Sequence, residues 1–136
     1  MASAQSKLHT HAKKALKKAH APYSGYQIGA ALITDQGKIA SGCNIENASY
    51  GGTVCAERVA IWKAVSEFGP IKIKEICVVS NSDQPWPPCG MCLQVMAEFA
   101  TAQTLIHIGN SKKIGNTYFF KELFPKAFSP AFLRDT

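Results

Sequence analysis

Residues 53–80 read T-V-C-A-E-R-V-A-I-W-K-A-V-S-E-F-G-P-I-K-I-K-E-I-C-V-V-S, and this stretch decides the fold class. Its first part is helical: Ala60, Ile61, Ala64, Val65 and Phe68 recur along one helix face, and Thr53 is the predicted N-cap. Gly69-Pro70 stops the pattern, because proline cannot continue a helix. From Ile71 to Ser80 the chain becomes rich in β-branched residues, the pattern of a buried strand. A helix feeding a buried strand is the building unit of an α/β protein.

Working outward, Asn47 to Gly52 is a polar, glycine-containing loop. Before it, residues 38–45 and 26–34 read as strands joined by a hairpin turn at Asp35-Gln36-Gly37. Ala21 to Gly25 breaks a preceding helix at 4–20, which is rich in Ala and Lys and has only Leu8 and Leu16 as large anchors. On the other side, Asn81 to Pro88 contains three prolines and cannot be regular structure. A helix follows Pro88, with Cys92, Val95, Met96 and Phe99 on one face. Residues 104–109 and 114–120 read as strands, and 121–128 as a short final helix. The expected architecture is a three-layer α/β/α sandwich around a mixed five-stranded sheet, formed by one domain over residues 1–136.

Composition narrows the function. With 46% hydrophobic and 18% charged residues, the chain is globular rather than disordered. No apolar run approaches the roughly 20 residues of a membrane helix, so no membrane role is expected. Lys and His recur through the first twenty residues, unlike a secretory signal, and the expected location is cytoplasmic. The net charge of +6 suggests nucleic acid until it is resolved along the chain. Lys7, Lys13, Lys14, Lys17 and Lys18 lie in residues 1–18 with no acid among them, leaving 10 basic residues against 9 acidic ones in the rest. A nucleic-acid partner is therefore not expected, and the lysines read as a solvated helix face.

Five cysteines in a reducing compartment favour metal binding or burial over disulfides. Three of them fall at predicted helix starts, in Cys55-Ala56-Glu57 and Pro88-Cys89-Gly90-Met91-Cys92. Helix N-termini carry partial positive charge and favour thiolates, the form that binds zinc. Cys89 and Cys92 share one turn, and Cys55 supplies a third ligand if the two helix starts are neighbours. Three ligands leave a fourth position open, as at a catalytic zinc, and Glu57 is at hand to carry protons. A first ligand followed at x-E and then P-C-x-x-C is the known signature of the zinc deaminases.

Competing readings fit less of the pattern. A redox C-x-x-C lacks the third Cys and the Glu, and a structural zinc site needs a fourth Cys or His. His107 sits on a predicted strand as a packed residue, while His9, His11 and His20 belong to the Lys-rich helix. Cys92 taken alone is equally a core residue.

The sequence resembles the cytidine deaminases of the small, three-cysteine, tetrameric class, from about Ala21 to Leu133. The resemblance is carried by A-P-Y-S (21–24), Q-I-G-A-A-L (27–32), G-C-N-I-E-N-A-S-Y (42–50), C-A-E-R (55–58), P-C-G-M-C (88–92) and E-L-F-P-K-A-F (122–128). It implies zinc-dependent hydrolysis of free cytidine and 2′-deoxycytidine to uridine and 2′-deoxyuridine, with release of ammonia, in pyrimidine salvage. Cys55, Cys89 and Cys92 would hold one Zn²⁺ per subunit, Glu57 would move the protons, and Arg58 would donate to the thiolates. Asn44 and Glu46 match the pair that binds the ribose 3′-hydroxyl, and Tyr26 stands where an aromatic packs on the pyrimidine. Backbone groups of Ala56 and Pro87 would meet the base, and Phe128 would reach a neighbouring subunit's site in a homotetramer.

Two departures stand out. Leu93 follows the last cysteine where many relatives have Arg, and Pro87 precedes Pro88 where Ser is common. Trp86 in the same segment is expected to shape the wall near the exocyclic amine and to alter tolerance for N4-substituted cytidines. A polynucleotide-editing deaminase uses the same zinc chemistry, but an anionic Glu46 at the sugar would repel a 3′-phosphate. A non-catalytic zinc or nucleic-acid module has no use for Glu57. The N-I-E-N-A block favours cytidine over the other small substrates of zinc deaminases.

Overall fold

Near-continuous apolar runs along the central strands require a cover on both faces of the sheet. A computed structural model of the chain, which describes residues 2–134, shows how that is met. Helix α1 (Ala4–Leu16) precedes β1 (Ile28–Thr34) and β2 (Ile39–Cys43). Next come α2 (Ala56–Phe68), β3 (Ile73–Ser80), α3 (Gly90–Ala97), β4 (Ala100–Asn110), β5 (Ile114–Phe119) and the single-turn α4 (Phe120–Leu123). The strands form one sheet in the order β2-β1-β3-β4-β5. The β3–β4 pair is parallel and the other pairs are antiparallel, so the sheet is mixed as expected.

The two faces build separate cores. On one, Ala30, Leu32, Ile76 and Val78 of the sheet pack with Ala60, Ile61 and Ala64 of α2 and Met96 of α3. On the other, Ala31, Cys77 and Val79 pack under Leu8, Ala12 and Leu16 of α1. The three-layer arrangement is thus present, and α1 is more than a solvated face. Two glycines let the helices come close. A Cβ on Gly29 would stand 2.7 Å from the backbone nitrogen of Leu16, and one on Gly42 the same distance from that of Ala60. Each lets a helix lie against the strand with no side chain between.

Several boundaries differ from expectation. Helix α1 stops at Leu16, so His20 lies outside it, its backbone bridged to Ile45 through bonds to Asn44 and Glu46. Strand β2 ends at Cys43, and the β4 strand starts at Ala100. Cys55 caps α2 in place of Thr53, whose hydroxyl instead accepts the Asn47 N–H at 3.1 Å. Phe99 lies beyond α3 and donates its N–H to Met96 in the closing turn. The final helix covers 120–123 only, because the residue before Pro125 is pushed out of helical geometry.

The strand directions position the site. Strands β2 and β3 flank β1 and both run antiparallel to it, so their C-terminal ends reach the same edge of the sheet. The chain passes from those ends to the N-termini of α2 and α3, which lie on one face. The N-terminal end of β1, with Tyr26 just before it, enters between them.

Candidate active site

Two helix starts at one sheet edge bring together cysteines 34 residues apart. The Cys55 and Cys89 sulfurs are 3.9 Å apart, the Cys89 and Cys92 sulfurs 3.5 Å, and all three lie within 4.8 Å of one another. Cys55 and Cys89 are the N-caps of α2 and α3, yet neither side chain makes a capping bond, so both sulfurs are free to face the cluster. Among the described residues no fourth Cys, His, Asp or Glu joins the group. A trio of thiols converging from two positive helix ends suits a soft divalent ion such as zinc and leaves it one open position.

Charge in the cluster is shared unevenly. The Cys55 thiol is pulled down to about 5, chiefly by a hydrogen bond from Cys92, with Arg58 adding to it. Cys92 is pushed up in turn, by that bond and by burial. Arg58 donates through Nη2 to the Cys55 sulfur at 3.5 Å. Its guanidinium lies 5.8 Å from the ring centre of Trp62, one turn further along α2. Glu57, in the first turn of α2, is 4% exposed, and burial lifts its carboxyl to about 7.

Of these groups Cys55, Glu57 and Cys89 line a cleft of about 440 Å³, a size suited to a small metabolite. Trp86 and Pro87 line the same cleft. Asn44 and Glu46 reach the same cleft with Ser24 and Tyr26, and Ile28 and Val78 supply apolar lining. Tyr26 and Trp86 rings meet at 4.5 Å with a 52° tilt.

The expected sugar pair has further work in this fold. Asn44 is buried, donates to the Tyr26 carbonyl at 2.8 Å and accepts the Ile28 N–H at 2.8 Å, clamping the entry to β1. Glu46 accepts the N–H groups of Tyr23 and Ser24, at 2.9 and 3.2 Å, and the Ser24 hydroxyl. The Ser24 hydroxyl is the main reason that the Glu46 carboxyl lies below its usual 4.5. In the sequence Ser24 stands out only as part of the A-P-Y-S resemblance, with no role of its own. A serine two residues from the cleft aromatic is the signal that points to it.

Two expected residues stand apart. Ala56 is fully buried at the start of α2 and does not line the cleft. Phe128 lies away from its own chain's cleft, half exposed, stacked on Phe132 at 5.6 Å, with its carbonyl held by Gln94 of α3.

The model of the cytidine and deoxycytidylate deaminase zinc-binding region matches residues 2–108. The chain belongs to the cytidine and deoxycytidylate deaminase family. Family relatives span nearly the whole chain. A cytidine deaminase of Halalkalibacterium halodurans is 46% identical over 117 residues, covering 86% of this chain and 88% of its own. One from Sporosarcina psychrophila is 43% identical, covering 90% of each. The crystal structure of the Burkholderia pseudomallei cytidine deaminase superposes with a TM-score of 0.83 at 41% identity, covering 90% of this chain and 97% of that one. That of Mycobacterium tuberculosis gives 0.81 at 31% identity, covering 94% and 99%. The deaminase fold and the three-thiol metal group of this chain agree with that family.

Proposed function

We propose that this chain is a zinc-dependent hydrolase that converts cytidine and 2′-deoxycytidine to uridine and 2′-deoxyuridine, releasing ammonia. One observation carries it: Cys55 and Cys89 of the three-thiol cluster and buried Glu57 line one cleft with an anionic Glu46. Cys55, Cys89 and Cys92 hold the metal. Zinc there supplies Lewis acidity, making water acidic enough to serve as a nucleophile near neutral pH.

The chain's own groups do the rest. Glu57 takes a proton from the attacking water and gives it to ring N3, which makes C4 electrophilic. Once oxygen is bonded to C4, Glu57 delivers a second proton to the amino nitrogen. The C4–N bond breaks, ammonia leaves, and C4 keeps the oxygen as a carbonyl. Arg58 offsets the negative charge of three thiolates, a task it carries alone because Leu93 stands where many relatives have Arg. Tyr26 packs on the base, and the Pro87 carbonyl hydrogen-bonds its edge. Asn44 and Glu46 hold the sugar 3′-hydroxyl. The negative charge of Glu46 disfavours a 3′-phosphodiester and hence polynucleotide substrates, and Ser24 holds that carboxylate in place.

Residues 1–136 act as one catalytic unit whose sites are completed in a homotetramer by Phe128 of a neighbouring copy. The exposure of Met91, Phe128, Phe132 and Leu133 supports an apolar interface on this side of the molecule. Three reduced thiols are needed for the metal, which supports a cytoplasmic location, and the reaction itself, cytidine to uridine, supports a role in pyrimidine salvage. Among the described residues no helix is long and apolar enough to cross a membrane.

The test is direct. Purified protein incubated with cytidine should lose the cytidine ultraviolet absorbance as uridine accumulates. Glu57→Gln should slow turnover by about 10³-fold while still binding substrate, and a zinc chelator should stop it. Absence of turnover in the wild type, or equal turnover in the variant, would refute the assignment.

A further inference from the structure

Residues 81–88 have no ladder partners and three prolines, so their shape must come from fixed φ angles and local anchors. The anchors are present. Ser80 donates to the Gln84 carbonyl at 3.5 Å, the Gln84 N–H to Ser82 at 3.2 Å, and Asn110 to the Asp83 carbonyl at 3.4 Å. The Pro85 ring lies over Gly115 of β5, 3.3 Å from where a Cβ would stand. The chain leading into Trp86 is therefore braced from Ser80 to Pro85 rather than a loose loop.

Trp86 is the large side chain of this segment. It is 37% exposed, at the rim of the cleft and outside both cores, and it rests on Tyr26. Tyr26 is itself fixed: its carbonyl is held by Asn44 and its N–H by the Ser24 hydroxyl at 3.0 Å. The two rings come from segments 60 residues apart and form one continuous aromatic surface. Trp86 stands three residues before Cys89, and Trp86, Pro87 and Cys89 line the cleft together. A carbon reacting beside Glu57 and the thiol cluster releases its nitrogen into the cleft that Trp86 and Pro87 also line.

We propose that Trp86 determines specificity by limiting the size of the group carried on the departing nitrogen, so that cytidine is accepted and N4-alkyl cytidines are rejected. The inference rests on the cleft being the cytidine site. The chemistry is unchanged for a larger substrate: water supplies the C4 oxygen, the C4–N bond breaks, and an alkylamine leaves with the proton in place of ammonia. Only the room beyond the nitrogen differs.

The test compares kcat/KM for cytidine, N4-methylcytidine and N4-ethylcytidine in the zinc-loaded wild type, Trp86→Ala and Trp86→Leu. The readout is the ratio of each N4-alkyl substrate to cytidine, which a loss of folded protein cannot move. That ratio should rise by about tenfold or more in Trp86→Ala, most for N4-ethylcytidine, and by less in Trp86→Leu. An unchanged ratio in both variants overturns the proposal, as does a wild type that handles N4-ethylcytidine as well as cytidine. Failure of the wild type on cytidine itself would instead overturn the function on which the proposal rests.

Discussion

Cys77 and Cys55 are the same residue type on opposite faces of one sheet, and they meet opposite fates. Cys77 points from the middle of β3 under α1, among Ala31, Val79 and Leu8, and burial pushes its thiol up to about 12. Cys55 opens α2 at the sheet edge, where a second thiol and Arg58 pull it down to about 5. The α1 face is closed around apolar side chains, while the α2 and α3 face ends in two helix N-termini and a cleft. Reactivity here follows from position on an element, not from composition.

The largest effect should come from testing the two thiol classes directly. Cys55→Ala and Cys89→Ala should lose zinc, measured by metal analysis after gel filtration, and turnover with it. Cys77→Ala should keep both and lower unfolding free energy by about 1 kcal/mol. Thiol alkylation followed by mass spectrometry should label the cleft cysteines of chelator-treated protein and leave Cys77 untouched until unfolding. Labelling of Cys77 in the folded state would break the comparison.

A smaller effect sharpens it from the polar side of the closed face. His107 pairs in register with Cys77 and is 3% exposed, with Nε2 on Glu75 at 2.7 Å and Nδ1 on Thr117 at 2.8 Å. Gln5 of α1 donates to the same Thr117 hydroxyl at 3.3 Å. The donors match if Thr117 donates to Nδ1 and Nε2–H donates to Glu75. His107→Ala leaves Glu75 and Thr117 without that partner. Chemical denaturation should show a loss of about 2 kcal/mol with kcat/KM on cytidine unchanged.

The smallest effect lies at the open face. Ser24 holds the Glu46 carboxyl below 4.5, so the folded state binds that proton less readily than the unfolded chain. The link therefore contributes its stability above pH 4.5 and loses it as pH falls through the lower, folded value. Melting temperature followed into the acid range should fall less steeply in Glu46→Gln than in the wild type. Parallel acid limbs would remove Glu46 from the account.

Much of this is legible in the sequence because it depends on neighbours in the chain. The alternation of helix and strand, the stop at Gly69-Pro70 and the spacing of Cys89 and Cys92 are local, and the structure keeps them. Thr53 reads as the cap because a hydroxyl is the usual capping group, whereas the chain uses Cys55 and turns its sulfur away. The Asn44 clamp is out of reach, since its partners Tyr26 and Ile28 lie 16 to 18 residues away across the hairpin. The anchoring of α1 exceeds what its sequence suggests for a similar reason. Leu8 and Leu16 are few, but Ala12 and the bare Gly29 let the helix settle deeply enough to bury them.

The edge that gathers the cysteines also has a mechanical meaning. Cys55 follows β2 and Cys89 follows β3, and β1 lies between those strands. An ion gripped by both is a latch thrown across the middle strand, tying two chain ends that the sheet alone joins only through β1. A bound metal would thereby favour the folded arrangement of this edge, so metal binding should raise the stability of the fold.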